Sequence, residues 1–347
     1  MCRARSLSVP VAVRAAVARQ RGMTLVELLV ALTLGLLVVL AATIALTVAR
    51  RGFTTVDAAS QLRDSGRFSV DVINRVLVQA GFEDLSYAVS TRKREDGTSA
   101  DPPPSIYGFN NALASATDPT GTRVAGGVNS SDVLVVRYQA GETYPGSGVT
   151  DGTMIDCQGK TVPLNAVPTN RDDRMASVFH VALSNGEPSL MCTTVIGGTT
   201  TTAVPVVQGV EAFQVLYGVD GVIANTAPDA SLPKPVKTDR YLRADQLTVT
   251  GNAAGTNANW RRVNSVRIGM LLRAAPYTAQ DVGPAVFYPF GVAASASGGV
   301  AGSSMSSAAN DPGTAFDTTG LTDRRLRQVV TFTVYLRNAQ DLSNPVP

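Results

Sequence analysis

The sequence predicts an α+β fold: a long N-terminal helix, membrane-spanning in its first half and amphipathic in its second, packed on an antiparallel β-sheet head with long loop insertions. Three observations predict it. One apolar run of membrane length, Met23 to Val48, stands near the start of a 347-residue chain. A 3.6-residue apolar period follows it without a proline, which marks an amphipathic helix. From residue 132 onward, two-residue alternation recurs between turn signals, which marks strands.

The run at 23–48 is 26 residues long with a single charge, Glu27. As a helix it measures about 39 Å, enough to cross a hydrocarbon core of roughly 30 Å with some tilt. One such run excludes a polytopic transporter. Five arginines (Arg3, Arg5, Arg14, Arg19, Arg21) and no acid precede it, against Arg50 and Arg51 after it. The positive-inside rule then leaves the N-terminus cytoplasmic and the rest of the chain exported.

Residues 49–83 carry apolar positions at Phe53, Val56, Ala59, Leu62, Val70, Ile73, Val76, Leu77 and Ala80, so one helix face packs on something. Asp71 stands four residues from both Arg67 and Arg75, a spacing that supports an exposed face. Gly81 suits a C-cap. No proline falls between 23 and 101, so both halves are expected to form one helix of about 55 residues, with Gly35 and Gly52 as the points where it could bend.

Residues 84–131, with "ADPPPS" at 100–105, read as a connection holding one or two short elements and no chemistry. The head at 132–347 alternates at Leu134, Val136 and Tyr138; Phe179, Val181 and Leu183; Leu190, Cys192, Thr194 and Ile196. The same pattern returns at Phe213, Val215 and Tyr217; Val266, Ile268, Met270 and Leu272; and Val330, Phe332, Val334 and Leu336. These strands need a cover for their apolar face, and the amphipathic half of the helix supplies it. Two insertions interrupt the head, about 223–260 with the only tryptophan, Trp260, and a Gly/Ala/Ser-rich stretch at about 291–315.

A catalytic constellation is not found. His180 is the sole histidine, which excludes multi-histidine zinc sites and leaves any Ser-His-Asp arrangement dependent on it. Its alternation with Phe179 and Val181 places it on the surface or at a sheet edge. "GKT" at Gly159 to Thr161 ends like a P-loop, but Met154 stands where the first glycine belongs, and no G-x-S-x-G is present. Asp172 and Asp173 are flanked by arginines and fit a solvated turn better than a calcium loop. Arg261-Arg262 and Arg324-Arg325-Arg327 are expected as solvated strand starts. Neither catalytic, cofactor-binding nor metal residues are assigned, and the protein is expected not to be an enzyme.

The N-terminus admits three readings. An ordinary secretory signal has an apolar core of 7 to 15 residues and a small-x-small cleavage site; this run is too long, and Thr47-Val48-Ala49 is a poor site. A plain anchor fits the length and leaves Glu27 unexplained, although a carboxylate in hydrocarbon is costly. The third starts from "RQRG|MTLVE": arginines, Gly22, Met23, an acid four residues further on, and an uninterrupted apolar run. This resembles the class III signal of type IV prepilins, and the fold it implies is pilin-like. Met23 departs from the phenylalanine or leucine more usual there.

The resemblance implies that a prepilin peptidase cuts after Gly22 and that the new amine of Met23 is methylated. Glu27 would then dock on the N-terminal amine of a neighbouring subunit. Loss of the leader at 1–22 would remove five arginines and take the formal charge from +3 to −2, so nucleic-acid binding driven by overall charge loses its support, although the Arg92-Lys93-Arg94 cluster remains. It would also remove Cys2. Cys157 and Cys192 are then an even pair in an oxidising compartment and are expected to form a disulfide, two buried free thiols being the alternative. Such a bridge contributes roughly 3 to 4 kcal/mol.

Three stretches of the head, "VQGVEAFQVLYGVD" at 207–220, "RRVNSVRIGMLLRA" at 261–274 and "RRLRQVVTFTVYLRN" at 324–338, resemble PilW-type minor pilins. That resemblance implies a low-abundance subunit that joins other minor pilins in priming pilus assembly and sits at or near the fibre tip. Its partners would be the prepilin peptidase, other minor pilins, the major pilin and a tip adhesin, with the inner membrane holding it before assembly and the cell-surface fibre after. The alternatives are a GspJ-like minor pseudopilin of type II secretion and a membrane-anchored periplasmic enzyme.

Overall fold

The computed structural model describes residues 22–83, 103–166, 173–229, 231–232, 235, 237–279, 286–290 and 315–338. Cys2, the leader arginines, Arg92-Lys93-Arg94, Asp172 and the Gly/Ala/Ser-rich stretch lie outside the described residues. The chain divides into two compact units, Met1–Phe53 and Thr54–Pro347.

In the first unit the described chain is the opening of helix α1 (Leu25–Leu77), whose helical assignment continues unbroken through Gly35 and Gly52. Every residue from Gly22 to Arg51 is exposed. Its most apolar window has a mean hydropathy of 2.7, and by length and composition it suffices to cross a membrane.

In the second unit α1 buries Ala58, Leu62, Gly66, Ser69, Ile73, Val76 and Leu77, a stripe at intervals of mostly three and four residues that lies on the core. Phe53 and Val56, which the apolar period placed on that stripe, are exposed. The helix ends at Leu77, short of the expected cap. Gly81 lies beyond it at φ +72°, a conformation that glycine adopts without strain, and donates its N–H to the Arg137 carbonyl at 3.0 Å. Two amides tie this end of the helix to the head. The Gln79 side chain donates to the Ile155 carbonyl at 2.9 Å and accepts from its N–H at 2.8 Å. The Asn338 amide donates to the Ala80 carbonyl.

The strands are β1 (Ile106–Phe109), β2 (Ala112–Ala114), β3 (Arg123–Ala125), β4 (Val133–Tyr138), β5 (Met175–Ser184), β6 (Glu187–Ile196), β7 (Thr199–Thr200), β8 (Val204–Gln208), β9 (Val210–Val219) and β10 (Arg240–Leu242). After helices α2 (Ala244–Leu247) and α3 (Ala253–Trp260) come β11 (Val263–Arg273), β12 (Val286–Phe287), β13 (Phe316–Asp317) and β14 (Arg327–Tyr335). They form an antiparallel six-stranded sheet β1-β4-β5-β6-β7, in which β8 also pairs with β6, and a four-stranded sheet β10-β9-β11-β14. All six predicted alternations fall in strands of these two sheets, so the head is built on two main sheets where the sequence pointed to one.

One core joins the three layers. Ile73 and Leu77 from α1, Leu134, Phe179 and Leu190 from the first sheet, and Phe213, Ile268 and Met270 from the second are all buried together. A smaller cluster of Phe109, Ala112, Val133, Val135, Ala176 and Val178 lies on the other face of β4 and β5. Its Phe109 and Ala112 belong to β1 and β2, elements within the stretch expected to be mainly connection. Trp260, at the end of α3, is fully buried with its ring centroid 4.6 Å from those of both Tyr107 and Tyr217. The second half of the first insertion is thereby part of the packed head.

Candidate functional site

The start of α1 is shaped by Thr24 and Glu27. The Thr24 hydroxyl accepts from the Glu27 N–H at 3.2 Å, and the Glu27 carboxylate accepts from the Thr24 N–H at 3.5 Å. These reciprocal contacts form a capping box, which satisfies two of the helix's orphan donors. The first intrahelical bond, Leu28 N–H to Thr24 C=O, measures 3.1 Å. A carboxylate in the first turn is also favoured by the helix dipole. Sequence reasoning singled out Glu27 and missed Thr24, although T-x-x-E before an apolar run is the capping signal.

Gly22 and Met23 immediately precede this box, in exposed non-helical chain. Downstream, the polar side chains inside the apolar run bond within the helix. Thr33 donates to the Val30 carbonyl, Thr43 to that of Leu40 and Thr47 to that of Thr43, at 2.6 to 2.9 Å. Such internal satisfaction is what a helix in hydrocarbon requires.

In the head, the expected bridge is present: Cys157 and Cys192 are disulfide-bonded, 35 residues apart. His180 corrects an expectation, since it lies in β5 between β4 and β6 and is only 5% exposed. Its Nε2 lies 3.0 Å from the Thr193 hydroxyl, and both faces of its strand are covered. The cover over Ala176 and Val178, on its own side of β5, includes Phe109 and Ala112. Among the described residues there is no group of three or more His, Cys, Asp or Glu side chains that could hold a metal. The Asp173 carbonyl accepts from the side chains of Gln139 and Asn165.

Burial lowers the His180 pKa from 6.5 to about 4. Between those values the unfolded chain binds a proton that the folded chain does not, so stability falls as pH drops from 6.5 towards 4. A shift of that size corresponds to about 3 kcal/mol. Urea titrations of the whole chain in detergent micelles should show a loss of that order over this window. His180→Asn should flatten it, and an unchanged slope in that variant would place the effect elsewhere.

The C-terminal arginines also differ from expectation. Arg325 and Arg327 are not solvated strand starts but members of a closed ionic ring. Glu187 accepts from Arg273 at 2.7 Å, Arg273 donates to Glu211 at 2.9 Å, and Arg327 donates to both oxygens of Glu211 at 2.6 and 3.0 Å. Arg327 also reaches Asp323 at 2.8 Å, Arg325 pairs with Asp323 at 3.2 Å, and Arg325 closes the ring on Glu187 at 3.0 Å. Of the other expected strand-start arginines, Arg262 is partly buried and donates to the Asp220 carbonyl.

Comparison with known families divides along the same line as the geometry. Residues 17–43 match the Prokaryotic N-terminal methylation motif, which covers Gly22, Met23, Thr24 and Glu27. Residues 178–338 match the Type IV Pilus-assembly protein W family. The two matches together support a PilW-type type IV pilin. The stretch of this PilW-type pilin matched to the family runs from within β5 through β14 and contains the whole ionic ring. PilW is a family of structural subunits of the pilus. A solved structure of a type IV-like pilin from Thermus thermophilus is similar at 14% identity and a TM-score of 0.33, covering 80% of this chain and 98% of that one. No curated relative matches the chain.

Proposed function

We propose that this PilW-type pilin is a minor pilin that joins other minor pilins in a complex priming fibre assembly and sits at or near the fibre tip. Gly22 ends a leader removed by a prepilin peptidase, and Met23 becomes the methylated N-terminus. The chain waits in the inner membrane with its N-terminus cytoplasmic and its head periplasmic, then passes into the fibre. The observation that carries this reading is the apolar stretch of α1 up to Arg51, exposed on all sides and headed by one acid. A charge disfavoured in lipid is satisfied when a neighbouring subunit presents its new amine. The fully exposed apolar surface is likewise covered only by lipid or by other subunits.

The test is complementation of a deletion strain. The wild-type gene should restore surface pili and copurify with other minor pilins and a tip adhesin. Gly22→Val should leave the leader attached and restore neither, and N-terminal sequencing that finds Met23 first in that variant would contradict the cleavage site. Normal pilus numbers in the deletion strain, with loss of protein secretion, would move the chain to the secretion pseudopilins.

A further inference from the structure

β14 is the outer strand of its sheet, and among the described residues it pairs on one side only, with β11. Two bonds just beyond the ladder fix which of its peptide groups are free. Leu336 N–H donates to the Asn264 carbonyl and Ala274 N–H to that of Leu326, both at 2.9 Å. Antiparallel pairs alternate between bonded and non-bonded positions, so Gln328, Val330, Phe332 and Val334 direct their peptide groups at β11. Val329, Thr331 and Thr333 direct theirs outward. The register runs unbroken from Arg327 to Tyr335, without the bulge, proline or lysine that commonly blunts an edge. Only Val334 of the nine residues is buried.

A groove of about 640 Å³ runs between this strand and α1. One wall comprises four consecutive residues, Gln328 to Thr331. Successive side chains point to opposite faces, so such a wall is the strand's edge. The other wall includes Arg63, Gly66, Arg67 and Val70. Gly66 permits the close approach, since a Cβ there would stand 3.0 Å from Val330 Cγ2. Arg63 and Arg67 are exposed and, among the described residues, have no ion-pair partner, whereas Asp71, which also lines the groove, is taken by Arg75 at 2.9 Å. They lie one helical turn apart, about 6 Å, which matches the roughly 6.6 Å between alternate residues of a strand.

We infer that this groove receives an extended acidic segment of a partner protein, which adds to β14 as a fifth strand and sets carboxylates two residues apart against Arg63 and Arg67. Main-chain bonds to the edge would hold the segment and the two cations would select its charge. The inference stands on the edge and its arginines, so it does not depend on Glu27 docking or on a place at the fibre tip.

The test uses the whole chain in detergent micelles and a fluorescein-labelled eight-residue peptide alternating glutamate and valine, with a lysine-valine peptide as control. The acidic peptide should bind at least tenfold more tightly than the basic one. Arg63→Gln with Arg67→Gln should weaken it at least tenfold and flatten its salt dependence. Val329→Pro removes an outward N–H without touching the β11 ladder and should weaken it to a similar degree. An acidic peptide N-methylated on its edge-facing amides should fail to bind, which tests strand addition without altering the protein. No binding by the wild-type chain up to millimolar peptide, equal binding of both peptides, or full affinity of the N-methylated peptide would overturn the inference.

Discussion

Glu27→Gln should abolish incorporation of this pilin into fibres as completely as Glu27→Ala, with a loss of at least tenfold in fibre-associated protein and in copurified minor pilins. The two substitutions separate the cap that the geometry shows from the docking role proposed for the same side chain. Glu27 closes a capping box with Thr24, and glutamine performs that task nearly as well as glutamate. Capping substitutions of this kind cost on the order of 1 kcal/mol, which a 53-residue helix anchored in a core can absorb. Alanine removes both the cap and the charge, whereas glutamine removes the charge alone. If docking on a neighbour's amine is what Glu27 contributes, the neutral isostere fails like alanine. Leader removal should proceed in both variants, as N-terminal sequencing of membrane fractions would show. Wild-type fibre incorporation by Glu27→Gln alongside failure of Glu27→Ala would reduce Glu27 to a helix cap.

The elements that periodicity located were those whose pattern is set by a single partner surface. The stripe from Leu62 through Leu77 meets the core along one helix face, and strands such as β9 and β11 carry their alternation into the same core. His180 was misplaced for a physical reason that lies elsewhere in the chain. Alternation sets His180 on the face of β5 opposite Phe179, Val181 and Leu183, which faces solvent if only one side of the sheet is covered, but β1 and β2 bring Phe109 and Ala112 over Ala176 and Val178 on that face. Those strands are three and four residues long, rich in glycine and alanine nearby, and too short to show a period. Leu183 failed in the opposite direction. It is 64% exposed at the end of the β5–β6 hairpin, where the sheet outruns its cover. At the N-terminal end, Gly22, Met23 and Glu27 could be singled out because their spacing is contiguous in sequence. The ionic ring could not, because its six members come from four strands and a loop, and adjacent arginines in a sequence look the same whether solvated or paired.

That ring supplies the second large effect. Glu211→Ala should destabilise the head by about 3 to 5 kcal/mol, the cost of leaving a buried pair half-broken. Glu211 is 1% exposed and accepts from Arg273 and bidentately from Arg327, whose side chain is 6% exposed. Removing its carboxylate leaves Arg273 with Glu187 and Arg327 with Asp323 as their one remaining acid each in the ring, where water reaches both guanidinium groups poorly. Glu211→Leu combined with Arg327→Leu should cost clearly less than the sum of the two single changes, because the double variant leaves fewer unpaired charges behind. The outer acids give the ring a pH dependence. Burial by itself would raise the Glu187 pKa, but hydrogen bonds and charge from Arg273 and Arg325 outweigh it and hold the carboxyl below its usual 4.5. Asp323 is lowered from 3.8 in the same way, burial opposed mainly by Arg327. A depressed carboxylate stabilises the fold above its unfolded pKa and loses that stabilisation as pH falls through the folded value. The share of Glu187 and Asp323 should therefore be intact at neutral pH and fall away on acidification below the usual carboxylate range, later in an acid titration than the loss assigned to His180. Thermal melts of wild type and Glu211→Ala at pH 7 should differ by that cost, and Glu211→Gln, which keeps the volume and removes the charge, should lose most of it too. Wild-type stability in Glu211→Gln would mean that Glu211 acts by packing volume and not through its charge.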